Sequence, residues 1–416
     1  MRVLHLSYHE NSGGAAIATN RIHKSLLKSK VDSIMLVKNK ISNSEKVISS
    51  KKILDIFLDK FNLYFQRKLH KINSNYNKNK VSKSYNLLPT FKLKTIKKIN
   101  PDIVNLHWIG NNFINFKEIS LIKKPIVWTI HDMWPYCGSE HYSLDDRFIH
   151  GYKENKIINK NKFFSIDLDK ITWLKKKKYL SKKINFVPTS TWQENNLKKS
   201  YLFKNSNSKK IYYPINGDEW NRKNKLDSRK TLDVPLDKKI LLFVSEKVDN
   251  PIKGFNFLKK MFYEKENNDF YLLVLGEKNK ERFKNIKVQF KFFEKIKNNI
   301  NSLVEIYSAS DLLLAPSKLE SFGIVAQEAA CCGLPTVAFT NTGFEDTVSH
   351  KESGYIAKND DLNDFYNGIN WCLNNENYSK ISENAKAISR TKFDENKIAS
   401  EYINFYNNLI NNYIKL

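Results

Sequence analysis

The chain has 416 residues, 41% of them hydrophobic, 13% aromatic and 27% charged, a length that exceeds one core and suits two domains, and a composition that excludes disorder. It carries 70 Lys and Arg against 43 Asp and Glu, a formal charge of +27, and such a field attracts polyanions: nucleic acid, an anionic membrane surface or phosphorylated small molecules. Lys, Asn and Ile are frequent throughout, so the excess equally fits a compositional bias, and the four cysteines, Cys137, Cys331, Cys332 and Cys372, have neither a C-x-x-C nor a regular spacing, which excludes a disulfide framework and a zinc ribbon.

In chain order, the opening MRVLHLSYHE has too short an apolar run for a signal peptide and reads as a buried strand over 3–7. A helical pattern at 15–27 follows, then strands at 33–37, 102–107, 125–130 and 184–188, with a further helix at 168–180. Residues 210–213 read as strand-like and meet Pro214, Gly217 and a polar stretch up to Lys239. That stretch marks a boundary near 214–216. Beyond it the alternation resumes, with strands at 240–245, 270–276, 288–293, 311–315 and 336–339, and a periodic segment at 397–414. Strands alternating with helices imply an α/β protein of two doubly wound, parallel-sheet domains, 1–214 and 215–395. No segment approaches the roughly 20 apolar residues that span a bilayer, so a soluble or peripheral protein is expected.

The stretch at about 50–84 differs from its surroundings. In KKILDIFLDKFNLYFQRKLHKI, apolar residues among lysines give a helix one broad apolar face and a basic opposite face. Such a helix either lies on an anionic membrane or covers its own domain's core with its lysines in water.

Residues 315–339, APSKLESFGIVAQEAACCGLPTVAF, form the most specific stretch. A strand ends at Ala315, a loop follows, and Ser321 is expected to cap a helix that presents the backbone N–H groups of Phe322, Gly323 and Ile324 to an anion. Glu320 and Glu328 flank this turn. On one helix, their eight-residue separation would put them about 12 Å apart, beyond the ~5–9.5 Å of hydrolytic pairs, so each glutamate is better used to recognise a diol, Glu320 on a sugar and Glu328 on a ribose. Cys331 and Cys332, on the same helix, read as small core residues.

This string, with SDLLLAPS before it, GLPTVA after it and then Thr342-Gly343 and His350 to Tyr355, resembles the Glu–seven residues–Glu signature of glycosyltransferase family 4. The family implies a GT-B fold, with two Rossmann-like domains facing a deep cleft, the final segment 396–416 returning to the first domain, and retaining transfer from a nucleotide-diphosphate sugar. The segments VNLHWIGNNF and PIVWTIHDMWPYCGSEHY are similar to a subgroup that includes colanic-acid and other surface-polysaccharide transferases.

The resemblance implies roles for further residues. Gly13 and Gly14 would open a helix beside the donor and acceptor. His131 would reach the donor sugar through its imidazole or the adjacent backbone, with Glu320 and Lys253 as its catalytic companions. Asp132 would either face the acceptor or cap the turn after its strand, and His107 and Trp108 would line the acceptor side. Lys253, in KVDNPIKGFNFLKK, would neutralise the diphosphate; Ser245, Glu246 and Lys247 stand where relatives carry an Arg, which leaves Lys247 as the second basic arm. Relatives carry several cysteines after the position of Tyr142, whereas only Cys137 is present here, so no zinc site is expected.

The implied enzyme transfers a hexose or N-acetylhexosamine from a UDP- or GDP-linked donor, without metal or other cofactor, to a glycan or lipid-linked precursor of capsule, O-antigen or exopolysaccharide. It would work in the cytoplasm or on the inner face of the plasma membrane. Two rival readings are an epimerase-like or non-transferase GT-B protein and, on charge alone, a nucleic-acid-binding protein. The second lacks any recognition motif, so no specific nucleic acid is expected.

Overall fold

The computed structural model describes residues 1–49, 53–73, 81–143, 145–154, 166–180, 184–248, 250–276, 283–284, 286–294 and 299–415. They fall into two compact units, Met1–Tyr213 with Asn396–Leu416, and Pro214–Glu395.

The first unit holds strands β1 (Arg2–His9), β2 (Asp32–Asn39), β3 (Val47–Ser49), β4 (Ile103–Leu106), β5 (Ile126–Ile130) and β6 (Ile184–Pro188). All pair in parallel, in the order β3-β2-β1-β4-β5-β6. Six consecutive residues of β1, Val3 to Tyr8, are buried, as a central parallel strand covered on both faces requires. Gly13, at φ +86°, turns the chain out of the sheet into the helix Gly14–Lys28, a backbone conformation that glycine adopts without strain. That helix buries Ala18, Ile22 and Leu26, one side chain per turn. Trp128, Trp134, Tyr136 and Phe186 centre the core. Burying Phe186 alone contributes about 1.5–3 kcal/mol.

Within the basic segment, the helix Ile53–Ile72 packs Phe65, Leu69 and Ile72 on Tyr85 and Leu168 of its own unit, while Phe61 and Tyr64 are 50% and 58% exposed. The side chains at 53–58 and of Leu63, on which the expected apolar face partly rests, and the stretches 50–52 and 74–80 lie outside what the structure describes. The terminal helix Glu395–Ile414 buries Tyr402 and Tyr406, and Asn105 donates to the Tyr406 hydroxyl at 2.6 Å.

The second unit repeats the plan with β7 (Lys239–Ser245), β8 (Phe270–Gly276), β9 (Gln289–Glu294), β10 (Leu312–Ala315), β11 (Thr336–Phe339) and β12 (Gly354–Ala357). Its parallel order is β12-β11-β10-β7-β8-β9. In each unit the first strand lies beside the fourth, and the order runs outward from that pair in both directions. The crevice at the carboxyl ends of the pair is the topological switch point, where doubly wound sheets bind ligands.

Three sequence expectations need correction. Residues 210–213 form no strand; Ile211 donates from its backbone to the carbonyl of Pro188, the last residue of β6, at 3.1 Å. The polar stretch before Lys239 contains the helix Lys225–Thr231, capped by the Asn224 side chain. The short strands β3 and β12 carry too few residues to show an alternation.

Candidate active site

In the second unit the loops after β7 and β10 border the switch point. The first runs through a 3-10 turn, Pro251–Lys253, begun by the Asn250 side chain accepting from the Ile252 amide at 3.1 Å. Gly254 then takes φ +79°. The two loops are joined by the Lys318 N–H donating to the Ile252 carbonyl at 2.8 Å, and by Gly254 lying directly against Pro316. This joining carries Lys253 to Glu320: their side chains form an ion pair at 2.6 Å. The other Glu320 carboxylate oxygen accepts from the Ser321 amide at 3.1 Å, and the Glu320 carbonyl accepts from Gly343 in the loop after β11 at 2.8 Å.

The helix after this loop, Ile324–Cys331, starts later than expected. Its cap is Gly323, at φ +92° and without a side-chain cap, so Ser321 is not the N-cap. The physical reason is close packing: a Cβ on Gly323 would stand 2.4 Å from the Phe344 ring, and only glycine allows both that approach and that backbone. The Gly323 carbonyl accepts from Ala326 and Gln327, leaving the amides of Ile324 and Val325 ahead of the first intrahelical bonds. Ser321 is buried beside them, and the Phe322 ring packs on Phe393 in the interior, so Phe322 has only its backbone to offer a ligand. Glu328 is buried and accepts from the Tyr307 hydroxyl at 2.9 Å. Lys247 is exposed at the start of the first loop, where its carbonyl accepts from Ser245. Cys331 and Cys332 are buried, as core residues are.

In the first unit, Gly13 and Gly14 follow β1, His107 and Trp108 follow β4, and His131 and Asp132 follow β5. The His107 ring bonds to both His5 and His131 at 2.9 Å, and His131 Nδ1 meets the Tyr213 hydroxyl at 2.6 Å. Burial pulls the His131 imidazolium down to about 4, partly offset by Asp132, and pushes His5 and His107 well below the usual histidine range. Asp132 is a packing hub: it accepts from Trp108 Nε1 at 3.1 Å, from the Trp134 amide at 2.9 Å and from His141 Nδ1 at 2.6 Å. Of the two roles read for it, the structure displays the turn cap. His141 is stacked between Trp108 and Trp134, with ring centroids 5.0 and 5.7 Å away.

Sequence reasoning missed His5, His141 and Tyr213. The available signal for His5 was a titratable side chain inside an otherwise apolar strand, which must be hydrogen-bonded or neutral. Tyr213 carried no signal, since it belongs to no motif.

Two doubly wound α/β units, the second with a Lys–Glu pair at its switch point, define the GT-B fold class. Residues 224–388 match the family described as Glycosyl transferases group 1. Among curated relatives, an uncharacterized glycosyltransferase of Haemophilus influenzae is 28% identical over 144 residues, 33% of this chain and 41% of that one. An uncharacterized 41.2 kDa protein in the cps region of Klebsiella pneumoniae is 22% identical over 265 residues, 60% of this chain and 73% of that one. The chain spans less than half the length of the first curated relatives it matches, at 41%, 28% and 45%. Among solved structures, sucrose-phosphate synthase of Thermosynechococcus elongatus superposes with a TM-score of 0.70 at 18% identity over 98% of both chains. Anabaena Alr3699/HepE, solved with UDP-glucose, gives 0.66 at 14% identity, over 98% of this chain and 100% of that one.

Proposed function

We propose that this chain is a retaining glycosyltransferase that moves a sugar from a UDP- or GDP-linked donor onto a glycan or lipid-linked precursor of a surface polysaccharide. The observation that carries the reading is the Lys253–Glu320 pair at the switch point. Its side chains are 32% and 13% exposed, and an ion pair with such access to water holds only about 0–1 kcal/mol, against which a diphosphate brings more than one negative charge to the same lysine. An arriving diphosphate therefore outcompetes Glu320 for the lysine. The freed carboxylate then accepts from sugar hydroxyls.

The amides of Ile324 and Val325 and the dipole of their helix add to Lys253 in holding the leaving diphosphate, with exposed Lys247 as the second cation. Such fixed charges make a metal ion unnecessary, and we propose transfer without one. Glu328 serves the ribose, and His131 the sugar. The cps-region relative supports a surface-polysaccharide acceptor, and the UDP-glucose complex of Anabaena Alr3699/HepE supports a nucleotide-sugar donor. Among the described residues no helix is long and apolar enough to cross a membrane. The basic helix Ile53–Ile72, with Phe61 and Tyr64 exposed, supports peripheral attachment to an anionic leaflet.

The test is thermal shift and donor hydrolysis against a panel of nucleotide sugars, with Glu320→Ala and Lys253→Ala in parallel. Stabilisation and slow turnover of one donor, lost in both variants, is expected. A well-folded protein that responds to no donor would overturn the reading. Flotation with liposomes tests the attachment, and no preference for anionic lipid would reject it.

A further inference from the structure

In the second unit a buried tyrosine holds a buried carboxylate. Tyr307 lies on the helix Ile300–Ala309, which precedes β10, and turns inward together with Val304 and Ser308. Its ring is 1% exposed and packs on Trp220, with centroids 5.9 Å apart. Its hydroxyl meets Glu328 Oε2 at 2.9 Å. Trp220 is itself fastened to the helix that carries Glu328: its carbonyl accepts from Sγ of Cys332, the residue at the end of that helix, at 3.5 Å.

An ionised carboxylate only accepts, so the phenol donates. Glu328 is 6% exposed, and a charge so far removed from water costs free energy unless it is hydrogen-bonded. The phenol takes one of about four acceptor sites on the carboxylate, which fixes its direction without exhausting it. Helical side chains lean toward the N-terminus of their helix, over the preceding turn. For Glu328 that turn begins at Ile324, whose amide, with that of Val325, precedes the first intrahelical bonds. The carboxylate therefore leans toward the anion-binding end of its own helix, and in a nucleoside diphosphate the group next to the phosphates is the ribose.

We infer that Tyr307 is a positioning residue for the donor's ribose: by fixing Glu328 before the ligand arrives, it makes affinity for a nucleoside diphosphate depend on the ribose hydroxyls. A mobile glutamate must be immobilised when it binds, whereas one already held by a buried phenol has lost that freedom during folding. This role rests on the function proposed above, in which Glu328 serves the ribose. Its consequence is a preference for ribose over deoxyribose that passes through the Tyr307 hydroxyl.

Calorimetric titration of the full chain with UDP and GDP, beside their 2′-deoxy and 3′-deoxy forms, tests it. The wild type should bind one of the two nucleotides, and at least one of its deoxy forms about ten- to a hundredfold more weakly, the fold-change of one hydrogen bond to a charged group. Tyr307→Phe removes only the phenol oxygen. It should cut that preference about three- to tenfold by weakening the ribonucleotide, with the deoxy form held within about twofold. Glu328→Met should lose the preference, and adding Tyr307→Phe to it should change nothing further, because Tyr307 acts through Glu328. The double variant replaces both polar partners by apolar groups of similar shape, so it folds even if Tyr307→Phe alone, with its carboxylate left buried and unpaired, does not. Equal weakening of both nucleotides in Tyr307→Phe, an unchanged preference, or a double variant clearly weaker than Glu328→Met would overturn the inference. A wild type that binds UDP or GDP without preferring ribose overturns it and leaves the nucleotide-sugar donor standing, whereas one that binds neither nucleotide rejects the donor and the inference together.

Discussion

Gly254 lies so close to Pro316 that a Cβ built on it would stand 2.0 Å from the Pro316 carbonyl oxygen. Glycine at φ +79° therefore does two things at once, turning the chain into the helix Phe255–Glu264 and letting the loop after β7 touch the loop after β10. Gly254→Ala must separate two backbones as well as hold a left-handed alanine, which alone costs about 1–2 kcal/mol. A fall in the melting temperature is expected, at roughly 2–4 °C per kcal/mol for a unit of this size. Donor turnover should fall too, because the displaced loops carry Lys253 and Glu320. An unchanged melting temperature would show that the loops separate freely.

The ion pair itself should matter for chemistry and little for folding. Lys253→Ala and Glu320→Gln each remove a partner with access to water, so stability should change by no more than about 1 kcal/mol. If Lys253 holds charge that develops on the leaving diphosphate, its loss should lower kcat by about 10²–10³. Lys253→Arg should retain part of the rate. Urea unfolding beside steady-state kinetics separates the two effects, and a variant that loses stability and activity in proportion would make the pair structural.

How much of this was legible in the sequence follows from how each element is stabilised. The reading of 184–188, 270–276 and 336–339 coincides with β6, β8 and β11 because their residues are mostly apolar and buried. β3 and β12, three and four residues long, left too short a pattern. Glu320 and Lys253 were each readable from their own strings, yet their 2.6 Å pairing spans 67 positions and depends on Gly254 fitting beneath Pro316. Ser321 looked like a cap by residue type, but the packing of Phe344 against Gly323 decided where the helix starts. The partnership of His5 and Tyr213 with His107 and His131 was invisible because it arises only when the sheet order places β1, β4, β5 and β6 side by side.

A buried charge cluster anchors the second unit. The Asp311 carboxylate accepts from Arg229 Nη2 at 2.6 Å, from the Ile240 amide at 2.7 Å and from Lys225 Nζ at 2.7 Å. Arg229 also donates to the carbonyls of Ala309 and Leu236. Both Asp311 and Arg229 are buried, so Asp311→Ala would strand a guanidinium in the interior at a cost of about 3–5 kcal/mol. The expected outcome is a lower urea midpoint with little change in slope. Asp311→Asn, which keeps the shape and one acceptor oxygen but loses the charge and the second acceptor, should fall between. Wild-type stability in Asp311→Ala would mean that water or a second carboxylate reaches Arg229.

Acid should unfold the first unit through its histidines. Burial pulls His23 and His131 down to about 4, and holds His5 and His107 well below the ordinary range. Between about 6.5 and about 4, the unfolded chain binds protons at these rings that the folded chain refuses. The difference in bound protons, unfolded minus folded, is then positive, and stability rises with pH across the window. In the other direction, stability is fully present above about 6.5 and is lost as the pH falls, at about 1.4 kcal/mol per pH unit for each such ring. His23, which shares a 2.7 Å hydrogen bond with Ser33 and lies 6.1 Å from the His5 ring, offers a check because it is not hydrogen-bonded to the other three rings. His23→Gln cannot take up a proton in either state, so its urea midpoint should fall less steeply from pH 7 to pH 5 than that of the wild type. Equal slopes would mean that the folded chain accommodates a charged His23.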